Sequence, residues 1–180
     1  MYQDASGSSR LFLATLPDTA TAERIHRLAG RLKRAHNFSG KLIAPGRLHV
    51  SLFFLGGLHE DLKDAARGTI GEMCMPSFVV CFDQTTSFRG RPGSRPFVLT
   101  GSHGLNELKS FRQELAMKLM RGRMQRSPKT NFEPHVTLLY DARSVEEYPL
   151  AEPISWTVSE IVLIQSQNGH SHVAKWRLST

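Results

Sequence analysis

Cysteine is nearly missing from this chain: Cys74 and Cys81 are the only two in 180 residues. With no partner cluster to complete a zinc site, they read as small buried apolar residues in a reducing compartment. Long apolar runs are missing too. No segment approaches the roughly 20 residues a membrane-spanning helix needs. The run Leu11–Leu16 is too short for a secretory core and meets Pro17-Asp18. The expectation is a cytoplasmic protein, without membrane association and monomeric. Acidic residues are scarce, 16 against 23 Lys and Arg, which leaves a formal charge of +7 and a pI near 9.8. Such a surface favours anionic partners, nucleic acid first and phosphorylated small molecules second. The chain also lacks a Gly-x-Ser-x-Gly elbow and a helical His-Glu-x-x-His, which removes the sequence signals of the serine hydrolases and of zinc-dependent hydrolysis.

Ordinary proportions of hydrophobic (40%) and charged (22%) residues indicate one folded unit over 1–180, with 1–9 as a loose polar leader. Arg10–Leu16 reads as a strand. Asp18 or Thr19 can cap a helix whose Ile25, Leu28, Ala29 and Leu32 fall at helical spacing. Leu48–Leu55 reads as a strand closed by Gly56-Gly57, followed by a helix over about 60–73. Ser77–Phe88 and Pro96–Thr100 read as strands flanking an Arg-rich turn, Leu105–Met120 as a helix, and His135–Tyr140 as a strand. Ile154–Gln165 and His172–Leu178 close the chain around Asn168-Gly169, a hairpin signal. No Gly-rich loop joins a strand to a helix, and hairpins imply antiparallel pairing. The predicted class is therefore α+β: two antiparallel sheets side by side, with helices on their outer faces.

Two copies of one short pattern dominate what is present: Leu48-His49-Val50-Ser51-Leu52 and Pro134-His135-Val136-Thr137-Leu138. Side chains alternate along a strand, so His49 shares a face with Ser51, and His135 with Thr137. The copies stand 135 − 49 = 86 residues apart, close to half the chain, as two related halves facing each other would place them. One imidazole on either side of a phosphate suits displacement at phosphorus, where a base activates water and an acid protonates the departing oxygen. An imidazole with a pKa near 6.5 serves either role at neutral pH. Ser51 and Thr137 can donate hydrogen bonds to the non-bridging oxygens as charge moves onto them. Metal chemistry would want carboxylates at ligand spacing, and the nearest are Glu133 and Asp141. A single strand histidine is ordinarily structural; two in matched frames are not.

Leu48-His49-Val50-Ser51-Leu52-Phe53-Phe54-Leu55-Gly56 and Phe132-Glu133-Pro134-His135-Val136-Thr137-Leu138 resemble the two signature motifs of the two-histidine phosphoesterases. Within them the chain is most similar to the bacterial and archaeal RNA 2′,3′-cyclic phosphodiesterases, also called 2′-5′ RNA ligases. The opening Arg10–Pro17 and the closing Ile161–Ser166 are similar to that family's first strand and its end. The resemblance implies a single two-lobed phosphoesterase domain with its site in the cleft between the lobes. It implies hydrolysis of a 2′,3′-cyclic phosphate to a 2′-phosphomonoester without metal or other cofactor, and joining of RNA ends in reverse. RNA ending in a cyclic phosphate, or a cyclic nucleotide, is the implied partner. His49 would be the acid toward the 3′ oxygen and His135 the base toward water. The family often carries an arginine just after the second motif, where this chain has Leu139-Tyr140; that contact falls to Arg143, or Tyr140 stacks on a base.

Other residues are weaker candidates. Arg89, Arg91 and Arg95 lie in the Arg-rich turn, where Arg91 and Arg95 could clamp phosphate bidentately. Lys118, Arg121, Arg123, Arg126 and Lys129 form a basic run that is either a phosphate contact or a solvated face. Of Phe53 and Phe54, one faces the core and the other can line the pocket. Phe132 could stack on a nucleobase or serve the core. His170 and His172 flank a turn and could share a metal only with a third ligand. The readings to separate are a cyclic phosphodiesterase, a phosphodiesterase on another small ester such as a 2′-5′ oligonucleotide or a cyclic phosphate of ADP-ribose, and an RNA-binding module whose histidines merely grip phosphate.

Overall fold

The structure is a computed structural model that describes residues 10–57, 60–71, 75–121, 132–166 and 169–179. The polar leader, Cys74 and the basic residues Arg123, Arg126 and Lys129 lie outside the described residues. The first strand, β1 (Arg10–Thr15), runs into helix α1 (Thr19–Ala35). Asp18 caps this helix, its Oδ1 accepting from the Thr21 amide at 2.9 Å, which satisfies one of the helix's orphan donors. A short 3₁₀ turn, Pro45–Arg47, leads to β2 (Val50–Gly57), and α2 (Glu60–Gly71) follows. Next come β3 (Phe78–Ser87), β4 (Arg95–Thr100), α3 (Asn106–Arg121) and β5 (Val136–Asp141). The chain ends in β6 (Tyr148–Val158), β7 (Glu160–Ser166) and β8 (His170–Arg177).

The strands form two four-stranded sheets, in the orders β2-β1-β7-β8 and β5-β4-β3-β6, with every pairing antiparallel. β2 and β5, which follow the two histidines, are equivalent edge strands, and they approach each other. This is the two-sheet antiparallel α+β class expected from the hairpin signals and from the lack of a Gly-rich strand–helix loop.

Each sheet buries one face in a shared core. Leu11, Leu13, Val50, Leu52, Phe53 and Leu163 of the first sheet join Val80, Phe82, Phe97, Leu99, Val136 and Leu138 of the second in one hydrophobic cluster. The helices complete it with the residues their spacing predicts. Ile25 and Ala29 of α1 are buried, as are Leu108, Phe111, Leu115 and Leu119 of α3. α1 follows a strand of the first sheet yet packs on β5 and β6 of the second, so the sheets are tied by crossing chain.

One element differs from the sequence expectation. Ile154–Gln165 is not one strand: β6 ends at Val158 in the second sheet and β7 starts at Glu160 in the first. Burial alternates at Ile154, Trp156 and Val158, then becomes continuous over Ile161–Ile164. That change of period marks the passage from a half-exposed edge strand to one covered on both faces. Pro149 and Pro153 disguise the beginning of β6, in keeping with its edge position.

Candidate active site

The open faces of the two edge strands carry the repeated motifs. On each strand one residue is inserted at the same offset. Leu13 and Ala14 pair with Phe53 and Ser51, leaving Leu52 as the extra residue; Phe97 and Val98 pair with Leu139 and Thr137, leaving Leu138 extra. A bulge of this kind resets the alternation. Leu52 and Phe53 are therefore both buried, as are Leu138 and Leu139. The next side chain returns to the open face in each copy. Phe54 is 59% exposed, and Tyr140 stands half-buried with its hydroxyl hydrogen-bonded to Thr137. Phe54 and Tyr140, each five residues beyond its histidine, are thus equivalent flanks of one site.

Both histidines are held the same way. His49 Nδ1 donates to the carbonyl oxygen of Arg47 at 2.8 Å, and His135 Nδ1 donates to that of Glu133 at 2.7 Å. A carbonyl can only accept, so each ring keeps its proton on Nδ1 and presents Nε2 to the site. Ser51 Oγ lies 3.0 Å from His49 Nε2. Aromatic rings pack on both imidazoles: Phe12 lies tilted, 5.2 Å from His49 between centroids, and Phe88 packs edge-on against His135 at 5.0 Å.

Burial pushes both imidazole pKa values below the usual 6.5. The two rings are close enough that a proton on His135 further disfavours one on His49. The residues two before each histidine break the symmetry. Arg47 disfavours a proton on His49, whereas the Glu133 carboxylate favours one on His135. Neither effect follows from the motifs themselves, although the shared offset is visible once the two are aligned.

A third histidine belongs to this site. His170, at the start of β8, stands edge-on to His49 with ring centroids 5.1 Å apart, and 5.5 Å from Phe12. Burial, with the nearby His49 and Arg47, holds its pKa down to about 4. The metal reading of His170 and His172 gains nothing, since no group of three potential ligands gathers among the described residues.

The remaining candidates lie elsewhere. Arg91 is in the exposed β3–β4 turn, and Arg95 donates to Ser144 Oγ at 3.0 Å. That hairpin springs from Phe88 beside His135. Phe132 packs on the core with the Arg112 guanidinium 4.3 Å above its ring, and Arg112 also covers Phe53 at 4.4 Å. Phe132 is thus half-buried against the core.

Residues 17–170 match the sequence model of the 2′-5′ RNA ligase superfamily, and the chain belongs to that superfamily. It is 28% identical over 130 residues to the RNA 2′,3′-cyclic phosphodiesterase of Archaeoglobus fulgidus, covering 72% of this chain and 70% of that one. Among solved structures it is similar to Escherichia coli LigT in apo form (TM-score 0.76, 24% identity, 96% of this chain and 99% of that one). It is also similar to TT0787 of Thermus thermophilus (TM-score 0.71, 18% identity, 94% and 97%). No helix among the described residues is long and apolar enough to cross a membrane.

Proposed function

We propose that the protein hydrolyses the 2′,3′-cyclic phosphate at RNA ends to a 2′-phosphomonoester, with His49 and His135 as the acid–base pair. The observation that carries this reading is the matched holding of two imidazoles, each tied by Nδ1 to a carbonyl and offering Nε2, with Ser51 and Thr137 beside them. Water attacks phosphorus, its proton passes to one Nε2, the bond from phosphorus to the 3′ oxygen breaks, and the other Nε2 protonates that oxygen. Both proton transfers are supplied by the chain itself. With a 5′ hydroxyl attacking in place of water, the same two proton transfers and the same break at the 3′ oxygen would join two ends through a 2′-5′ phosphodiester.

Family resemblance supports His49 as acid and His135 as base. In the free protein burial and the Arg47 guanidinium both disfavour a proton on His49. The proposed order therefore requires the bound phosphate anion to shift the proton toward His49.

The test uses metal-free protein in EDTA with 2′,3′-cyclic nucleotides and short RNA ending in a cyclic phosphate. The expected result is a 2′-phosphate product, with turnover reduced roughly 10²–10⁴-fold by His49→Ala and by His135→Ala. Turnover unaffected by either substitution would remove the pair from the chemistry. Binding of RNA without turnover would favour the non-catalytic reading.

A further inference from the structure

Strand β8 carries His170, His172, Lys175 and Arg177, and no acidic residue. In a regular strand the two histidines would face one way and Lys175 and Arg177 the other. The β7–β8 register prevents this: Ile164 pairs with His172 and Leu163 with Ala174, so Val173 is an extra residue. Beyond that bulge, Lys175 falls opposite Val162 and Arg177 opposite Glu160, while His170 lies opposite Ser166. Val162 and Ile164 form a small apolar cluster with Ala14 and Phe12 on the face of the first sheet opposite the main core, the face on which Phe12 meets His49. The four basic residues thus stand in one row on the side of the catalytic pair.

The row begins at the site, with the His170 and His49 rings 5.1 Å apart, and continues about 20 Å along β8 at the usual strand rise. His172, Lys175 and Arg177 are exposed. The opposite face of the strand is engaged, with Val173, Ala174 and Trp176 packed on the core. Glu160, 3.4 Å from Lys175 Nζ, is the acidic residue paired across from its far end.

From this placement we propose that β8 is the track for the RNA chain leading to the reacting phosphate. The site is thereby adapted to polynucleotide ends rather than to cyclic mononucleotides. The inference rests on the function proposed above. Spaced cations contacting successive phosphates add affinity without reading sequence, and a mononucleotide held between His49 and His135 would leave most of the row unused.

The test compares wild type with Lys175→Gln/Arg177→Gln, which removes both charges without setting a new carboxylate against Glu160. For short cyclic-phosphate-ended RNA, kcat/KM should fall roughly tenfold at low salt, and the dependence of log affinity on log salt should flatten by one to two units. For 2′,3′-cyclic AMP, kcat/KM should stay within about twofold of wild type. Unchanged turnover of RNA, or an equal loss on both substrates in a variant with wild-type thermal stability, would overturn the proposal. Should wild type turn over neither substrate, the catalytic reading fails, and fluorescence anisotropy with labelled RNA then tests the track alone. Weaker binding by the double variant supports it, and equal binding overturns it.

Discussion

At the scale of single residues, the proposed acid–base pair raises the problem of how two nearly identical imidazoles would take opposite roles. Each has its Nδ1 committed to a carbonyl two residues back, so the difference must come from charge around Nε2 and from the substrate. A leaving group that needs no proton exposes the acid. On a p-nitrophenyl phosphodiester, His49→Ala should lose less than about tenfold while His135→Ala keeps its full loss; the reverse result would make His135 the acid. Both pKa values lie below 6.5 in the free protein. The alkaline limb of kcat/KM, which reports the free enzyme, should therefore fall below pH 6.5. Bound phosphate favours the imidazolium, so the limb in kcat should lie higher. An alkaline limb of kcat/KM well above pH 7 would contradict this environment. The pair was legible in the sequence because a histidine and a hydroxyl two residues apart need only local strand geometry to converge. His170 was not, because its approach to His49 depends on strand order across the first sheet, β2-β1-β7-β8.

At the scale of elements, the bulges explain what simple alternation could not. Reading faces by strict alternation from His135 puts Tyr140 on the buried side. The extra residue at Leu138 brings it back beside Thr137, as Leu52 does for Phe54. Alternation alone leaves either Phe53 or Phe54 to face outward; the register buries Phe53 and turns Phe54 out, 59% exposed. The same limitation hid the β6–β7 junction at Ser159, where a change of sheet has no turn signature as strong as Asn168-Gly169. An exposed aromatic beside a phosphate site is suited to stacking on a base, worth about 1–3 kcal/mol per base. Phe54→Ala should accordingly raise KM for cyclic nucleotides about 5- to 160-fold with kcat little changed. A loss confined to kcat would instead mean that Phe54 positions β2. Stability should hardly move, since the ring is largely in water already.

At the scale of the whole molecule, facing imidazoles are useful only if the two edge strands are held in register with each other. Asp141, at the end of β5, provides a tie. It is buried, with Oδ2 accepting from the amides of Ser39 and Gly40, both at 2.7 Å, and from Ser39 Oγ at 3.1 Å. Its Oδ1 accepts from the Arg143 amide at 2.9 Å. The segment so gripped continues along β5, where the Ile43 amide donates to Leu138 O at 2.8 Å, and then leads directly to His49. Gly40 suits the approach because a Cβ there would lie 1.9 Å from the Tyr140 carbonyl oxygen. Asp141→Ala would orphan these donors, costing on the order of 3 kcal/mol, roughly 6–12 °C in Tm for a domain of this size. It should also lower kcat by loosening the two motifs together. The pH dependence identifies the cause. Those hydrogen bonds hold the Asp141 carboxyl down to about 2, below its ordinary 3.8, so the unfolded chain binds the proton first as pH falls. The stabilisation is complete above the ordinary value and is lost as pH falls through that window. The Tm gap between wild type and Asp141→Ala should therefore be constant above about pH 5 and narrow toward pH 2. His49, His135 and His170, all depressed, give wild type a separate decline from pH 6.5 toward 4, which Asp141→Ala should retain. A gap that stayed constant down to pH 2 would mean that the ionised carboxylate is not what joins the lobes.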